Sequence, residues 1–557
     1  MLTALLVQHG VKHVVVCPGS RNADIVHNLN ECDDITCFPI TDERSAGFYA
    51  LGLRTATNAP VAVCVTSGTA LLNLMPAVAE ATYQHQGIIV ISADRPAAWI
   101  GQNDGQTMPQ PNALGQFVAC CVSLPEPNNE EEEWYCNRLI NEALITAKSP
   151  ECPSVHINVP IHDIKIEDAQ KSSIVSLLEK QRMITACYNS IDDEYIDMIW
   201  ERIKNAERPM IVVGQTKEIP CEFGNIQSAC AVLTENTANF GCGTSLDTIL
   251  SRVDGKEDMI PDFVLYMGGC LVSANTKKFL RKCKDTEFWE VSEDGKPHDT
   301  FKNLSRLFQG TTYDVIRKLS NKMEKEETDT KDYHPFAKKW ASYTLNEYEK
   351  LRRCDIQPLT SAGITRKIFI DAKKLKKCHI FCANSSAIRY GNMFADGYVH
   401  CNRGINGIEG CLSTAAGFSL ATEGNVLCVI GDLAFFTDTN ALWNNNLKGN
   451  LKILLLNNNG GSIFGNVKSI NPKDNAYKFI SGEHVTSARY ICQAHNIQYR
   501  EIRDAKDIDE SCMWLTENNE ERPKLLEVFI NPEDDIQTLR HINEKISSVE
   551  NGDSACQ

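Results

Sequence analysis

Short apolar runs, set apart by Gly-rich or polar turns and by stretches of helical periodicity, give this chain its rhythm. HVVVC (13–17), ITCFPI (35–40), VAVCVT (61–66) and GIIVISA (87–93) come first, with the helical stretches SAGFYALGLRTA and ALLNLMPAVAEAT between them. PMIVVG (209–214) and DFVLYMGG (262–269) form a second set. CHIFCA (378–383), NVLCVIG (425–431) and LKILLLN (451–457) form a third. Runs this short, apolar throughout and alternating with helical patterns, predict βαβ units and parallel sheets covered on both faces. Leu2, Leu5 and Leu6 predict one face of an N-terminal helix. The polar stretch IKIEDAQKSS (164–173) and the charged stretch NKMEKEETDTKDYHP (321–335) read as solvated connections. The expected class is α/β, with three doubly wound parallel-sheet domains over 1–180, 181–340 and 341–557.

Length and charge narrow the function. A chain of 557 residues exceeds one core. A formal net charge of -16, with no block of basic residues, argues against nucleic acid and anionic membranes as partners. No segment reaches the roughly 18 apolar residues that span a bilayer, and MLTALLVQHG lacks a basic leader pattern, so membrane insertion is not expected and a cytoplasmic location is. The 23 cysteines are scattered, without a CxxC pair or zinc-ligand spacing, and read as small buried hydrophobes.

The candidate chemistry begins where two of the runs end. NVLCVIG and LKILLLN read as neighbouring parallel strands with a crossover helix over TDTNALWNNN (437–446). Ligands bind beyond the carboxyl ends of such strands, where Asp432 and Asn457 to Asn459 fall. One carboxylate with amide and backbone oxygens suits Mg²⁺, and Gly460-Gly461 lets a carbonyl approach. Ordinary turn chemistry explains the same residues, so both readings stay open here. Glu43, between ITCFPI and an apolar helix, is either a helix-capping acid or a buried carboxylate with tuned proton affinity.

Taken together, Gly431-Asp432 followed by Asn457-Asn458-Asn459 is the signature of thiamine-diphosphate enzymes, with Leu433 where glycine is more usual. More specifically, CPGSRN (17–22), TDERSAGFYALG (41–52), VTSGTALLN (65–73), ISADRP (91–96), NSSAIR (384–389), NRGINGIEGCLSTAAG (402–417), GDL (431–433) and NNNGGSIFG (457–465) stand in order along the chain. In these pieces the chain resembles the 2-succinyl-5-enolpyruvyl-6-hydroxy-3-cyclohexene-1-carboxylate synthase family of menaquinone biosynthesis. The resemblance implies three domains of the thiamine-diphosphate enzyme type: a pyrimidine-binding, a central and a diphosphate-binding one. It also implies thiamine diphosphate with Mg²⁺ or Mn²⁺ as cofactors, and 2-oxoglutarate and isochorismate as substrates. Asp432, Asn459 and the Gly461 carbonyl would hold the metal. Glu43 would activate the pyrimidine ring, and Ile408 would bend the cofactor. Ser67, Gly68, Thr69, Ser385, Leu433, Ile463 and Phe464 would line its pocket.

Both substrates carry two carboxylates, which arginine forks meet bidentately. Arg21, Arg95, Arg389 and Arg403 lie in turn-like segments after strands or beside glycines. The resemblance gives them the substrate carboxylates, with Ser20, Gln106 and Ser385 as polar partners and Gln106 also as a catalytic candidate. In the middle domain, Ala274 and Asn275 stand where relatives carry basic residues, and Lys277 and Lys278 follow. The resemblance further implies a homodimer or homotetramer with the active site between subunits. The core signature alone leaves open another 2-oxoacid enzyme such as an acetolactate synthase, or a non-catalytic protein of the same fold.

Overall fold

A computed structural model describes residues 1–162, 181–188, 190–217, 226–238, 250, 253, 256–326, 334–467, 469–518 and 521–548. The connection predicted over 164–173 lies outside the described residues. Three sheets, all parallel, organise the chain. The first holds β1 (His13–Val16), β2 (Thr36–Pro39), β3 (Val61–Val65), β4 (Ile89–Asp94), β5 (Cys120–Ser123) and β6 (Val155–Pro160), in the order β2-β1-β3-β4-β6-β5. The second holds β7 (Pro209–Val213), β8 (Ala231–Thr234), β9 (Phe263–Met267), β10 (Glu287–Ser292) and β11 (Leu304–Gln309), ordered β11-β10-β9-β7-β8. The third holds β12 (Cys378–Cys382), β13 (Val399–His400), β14 (Asn425–Gly431), β15 (Leu451–Asn457), β16 (Gln498–Ile502) and β17 (Lys524–Phe529), ordered β13-β12-β14-β15-β17-β16. The first and third sheets therefore share one topology, strand for strand.

The predicted runs became β1 to β4, β7, β9, β12, β14 and β15. Most of them are buried on both faces, as in VAVCV and LKILLLN, because helices cover both sides of a parallel sheet, while β2, at the sheet's edge, is half-exposed. The N-terminal helix Leu2–Gln8 buries Leu5 and Leu6. ALLNLMPAVAEAT is divided into helices Thr69–Asn73 and Met75–Tyr83. Pro76 brings no N–H and sits in the first turn of the second. Of the stretch 321–335, residues 327–333 lie outside the described residues; its ends belong to helices Thr312–Lys325 and Pro335–Arg353. The crossover over 437–446 also differs. Helix Asp432–Phe436 and a short 3₁₀ turn, Thr439–Leu442, replace the expected helix. Asp438 and Asn444 turn their side chains onto Ser413, Tyr49 and the Ala441 carbonyl instead of leaving the backbone to coil. All described cysteines are free, and only Cys187 and Cys270 are exposed. Among the described residues no helix is long and apolar enough to cross a membrane.

One hydrophobic core runs through the first and third domains. At its centre, helix Glu43–Thr57 crosses helix Cys411–Leu420 backbone to backbone. A Cβ on Gly52 would lie 2.1 Å from the Thr414 carbonyl, and one on Gly417 would lie 2.3 Å from that of Tyr49. Tyr49 reaches over the crossing and donates to the Ala441 carbonyl at 2.6 Å. Glu80, a buried acid on helix Met75–Tyr83, accepts from the N–H groups of Gly404 and Ile405 at 2.7 Å each. Asp438 is buried too, accepting from the N–H and hydroxyl of Ser413 at 2.8 and 2.7 Å, which caps helix Cys411–Leu420 from outside.

Two outcomes follow from this packing. Gly52→Leu is expected to lower unfolding free energy by about 3 kcal/mol, since rigid backbone must move, while Gly397→Ala, with open space around it, stays within about 0.5 kcal/mol; denaturant titration of both variants measures the difference. Burial pushes the Asp438 carboxyl up to about 6, against the Ser413 hydrogen bonds and Arg44, with Asp42 adding to the rise. The folded state then holds a proton that the unfolded chain, near its ordinary value of about 3.9, releases. Stability should accordingly fall by about 2 kcal/mol as pH rises from about 4 to about 6, and level off above. Asp438→Asn should flatten that slope in the same titration.

Candidate active site

The first sheet gathers half of the predicted residues at the carboxyl ends of adjacent strands. Ser20 and Arg21 follow β1, Glu43 follows β2, Ser67 to Thr69 follow β3, and Arg95 follows β4. The loops touch: a Cβ on Gly19 would lie 2.3 Å from that of Thr66. Arg21 donates to the carbonyls of Ile161 and His162 at 3.1 and 3.2 Å. Arg95 Nε lies 3.4 Å from Asp104, and Gln106 Nε2 donates to the Ser67 carbonyl at 3.1 Å. Gln106 is exposed, with a left-handed φ of 60°. Glu43 opens helix Glu43–Thr57, whose amino end Asp42 caps through Ser45 N–H at 2.8 Å. Its carboxylate accepts from Asn73 Nδ2 at 3.2 Å. Glu43 is half-buried at the first position of its helix, short of the burial that the buried-carboxylate reading expects.

The third sheet gathers the rest. Ser385, at φ 74°, precedes helix Ser386–Phe394, and Arg389 stands on that helix instead of in a turn. Both are exposed. Arg403 Nη1 donates to Asn384 Oδ1 at 3.1 Å, and Asn384 in turn donates to the carbonyls of Asn402 and Gly407. Ile408, half-buried, packs against the shared core. Asp432 begins its helix at the end of β14, with Asn457 at the end of neighbouring β15. Its buried carboxylate accepts from the N–H groups of Leu433, Asn458 and Gly460 at 2.7, 3.1 and 2.9 Å. His484 Nε2 lies 3.3 Å from it, poorly aligned for a hydrogen bond. Burial raises the Asp432 carboxyl above its ordinary range, and the Gly460 and Leu433 N–H groups hold it back.

The three asparagines divide their work. Asn457 Nδ2 donates to Glu527 and to the Thr486 carbonyl, and Asn458 Nδ2 donates to Ser462 and Asp535. Asn459 stands in the left-handed region at φ 62° with its side chain exposed. Ile463 and Phe464 sit on the 3₁₀ turn Ser462–Asn466 beyond Gly461, and Leu433 lies across from Gly482. A Cβ on Gly431 would meet nothing within 4 Å, so the space at the end of β14 is open. Among the described residues no group of three or more His, Cys, Asp or Glu could hold a metal ion. The donor set here is one carboxylate, an outward amide and backbone carbonyls. These residues fit Mg²⁺ completed by phosphate and water, and do not resemble an all-protein transition-metal cage.

Within one chain the two edges adjoin. Arg44, next to Glu43, donates to the Thr437 carbonyl, and Asn440 Nδ2 donates to Asp42 at 2.9 Å. No described hydrogen-bond partner serves both Glu43 and Asp432. A cavity of about 750 Å³ lies elsewhere, between the carboxyl ends of the middle sheet and the other two domains, and none of the predicted site residues lines it. Sequence reasoning missed Glu80, Asp438, Asn384 and His484. Only Glu80, a lone acid in the apolar helix MPAVAEATY, left a readable mark. It also left Lys277 undecided. Lys277 Nζ donates to the Leu271 carbonyl at 3.1 Å, an oxygen that Arg403 Nη2 also reaches at 3.4 Å.

Comparison with known proteins identifies the family. A family model described as thiamine pyrophosphate enzyme, N-terminal TPP binding domain, matches residues 1–114. The 2-succinyl-5-enolpyruvyl-6-hydroxy-3-cyclohexene-1-carboxylate synthase of Phocaeicola vulgatus is 39% identical, over 97% of this chain and 96% of that protein. Those of Bacteroides fragilis and Desulfotalea psychrophila are 38% and 34% identical, each covered over 97% of its length. With such identity over nearly the whole chain, the chain belongs to the 2-succinyl-5-enolpyruvyl-6-hydroxy-3-cyclohexene-1-carboxylate synthase family of thiamine-diphosphate enzymes.

Proposed function

We propose that this chain decarboxylates 2-oxoglutarate and adds the succinyl unit to isochorismate by 1,4-addition. The products are CO₂ and 2-succinyl-5-enolpyruvyl-6-hydroxy-3-cyclohexene-1-carboxylate, on the way to menaquinone. The observation that carries this reading is the set of cations on both sheet edges: Arg21 and Arg95 follow strands of the sheet whose edge carries Glu43, and Arg389 and Arg403 follow strands of the sheet whose edge carries Asp432. Two dicarboxylate substrates need such an array, and a monocarboxylate substrate does not, which favours this reading over an acetolactate synthase. The presence of Glu43, Asp432 and Asn459 together favours it over a non-catalytic protein of the fold.

Bound thiamine diphosphate would supply the electron sink that loss of CO₂ from a 2-oxoacid requires. Asp432, the Asn459 amide and the Gly461 carbonyl would hold Mg²⁺, or Mn²⁺, against its diphosphate. Ser67 to Thr69 and Ser385 would line the pocket with Leu433, Ile463 and Phe464, and Ile408 would give apolar support. Glu43 would share a proton with the ring nitrogen of the aminopyrimidine. The arginines would orient substrate carboxylates, with Ser20, Gln106 and Ser385 as polar partners, so proximity carries much of the rate. Apolar walls would exclude water that otherwise protonates the decarboxylated unit. Glu43 is half open in a single chain and shares no described hydrogen-bond partner with Asp432. A homodimer, or a tetramer built from it, would bring the Glu43 edge of one copy to the Asp432 edge of the other. The proposed location is the cytoplasm, an aqueous compartment that suits two charged dicarboxylate substrates.

Incubation of the purified protein with thiamine diphosphate, Mg²⁺ and 2-oxoglutarate should release CO₂ at full rate only when isochorismate is added; equal turnover of pyruvate would refute the assignment. Glu43→Gln should reduce turnover by roughly 10²- to 10⁴-fold while calorimetry shows cofactor affinity largely kept, because the carboxylate acts on protons more than on binding. Normal turnover in that variant would remove Glu43 from its role.

A further inference from the structure

Two glutamines from one loop grip a single peptide unit of the cofactor turn. Gln106 donates to the Ser67 carbonyl at 3.1 Å, and the N–H on the other side of the same peptide, that of Gly68, donates to Gln110 Oε1 at 2.7 Å. Gly68 holds a left-handed φ of 84°, and a Cβ there would lie 3.2 Å from Gln106 Cγ, so the loop rests directly on the turn. Unlike Gln106, Gln110 is wholly buried.

The other end of Gln110 is tied to the arginine edge. Its Nε2 donates to the Ala93 carbonyl at 3.0 Å, Asn158 Oδ1 at 2.9 Å and Ser92 Oγ at 3.3 Å. Asn158 Nδ2 donates to Asp94 Oδ2 at 2.9 Å, while Asp94 Oδ1 accepts the Arg95 N–H at 2.8 Å. His156 closes the network at 2.7 Å from Ser92 Oγ, and burial pushes its pKa down to about 4, so it stays neutral. One buried side chain thus joins the Ser67–Gly68 peptide to the end of β4 that carries Arg95. A buried amide satisfied at both ends fixes both of its neighbours, since letting go of either strands a polar group.

We infer that Gln110 is a positioning residue, resting on the functional reading above: it sets the plane of the Ser67–Gly68 peptide and holds that turn in register with Arg95. In the full-length protein with Mg²⁺, Gln110→Met should weaken thiamine diphosphate binding and raise the KM for 2-oxoglutarate by about tenfold each, the worth of one or two buried hydrogen bonds. The far-end control Ser123→Ala loses only the bond from Asn158 and should leave both constants within about twofold. Gln110→Glu keeps the Gly68 acceptor but sets a carboxylate against the oxygens of Ala93 and Asn158. Protonation restores the donor, so its cofactor affinity should recover as pH falls from about 8 to about 6, which a purely structural role would not produce. Should Gln110→Met not fold, as circular dichroism would show, the pH profile of Gln110→Glu decides. A folded Gln110→Met with both constants within about twofold of the parent, or a Gln110→Glu affinity equal to the parent at every pH, overturns the inference. If the parent binds cofactor and Gln110→Met binds it as tightly, this inference alone fails; if the parent itself does not bind, the functional reading fails with it.

Discussion

The glycine crossing of helices Glu43–Thr57 and Cys411–Leu420 is the contact that ties the two site-bearing sheets together within one copy. Glu43 opens one helix, and the GINGIEG turn that carries Ile408 leads into the other. With Gly52 against the Thr414 carbonyl and Gly417 against that of Tyr49, no side chain separates the two backbones. Within one copy, the spacing of the Glu43 edge and the Asp432 edge is therefore set by close backbone contact. Tyr49 and Asp438 then fasten the 437–441 segment to the same crossing.

Buried acids recur as the device that shapes loops. Glu80 takes two N–H groups beside Arg403, and Glu235 takes those of Val272 and Ser273 beside Lys277. Glu527 and Asp535 hold Asn457 and Asn458 in place. Each carboxylate offers several lone pairs to backbone donors that a loop cannot satisfy alone. A chain of net charge -16 can in this way use acids internally while Arg21, Arg95 and Arg403 stay at strand ends. The asparagine run shows the result: two of its amides serve the scaffold, which leaves Asn459 facing outward.

The two like sheets explain why so much was legible. Apolar strands such as VAVCV and LKILLLN announce themselves because they are buried on both faces. Half-exposed strands such as LSRLFQ, and the strand pair Cys120–Ser123 and Val155–Pro160, escaped for lack of that continuous pattern. The crossover after β14 was misread because its Asp and Asn side chains bond to distant partners that no local pattern reveals. Arg389 was placed in a turn because a left-handed Ser385 starting a helix leaves no trace in residue type.

By itself, the sequence determined the fold class, the strands that end at Asp432 and Asn457, and the motifs that place the chain in its family, since these rest on local periodicity and on residues that chemistry demands by type. Only the tertiary structure decided which asparagine is left outward, that Lys277 and Arg403 meet at one carbonyl, and that Gln110 joins the cofactor turn to Arg95. Those are pairings between residues far apart in the chain, fixed by how sheets and helices pack, and one-dimensional spacing carries no measure of that distance.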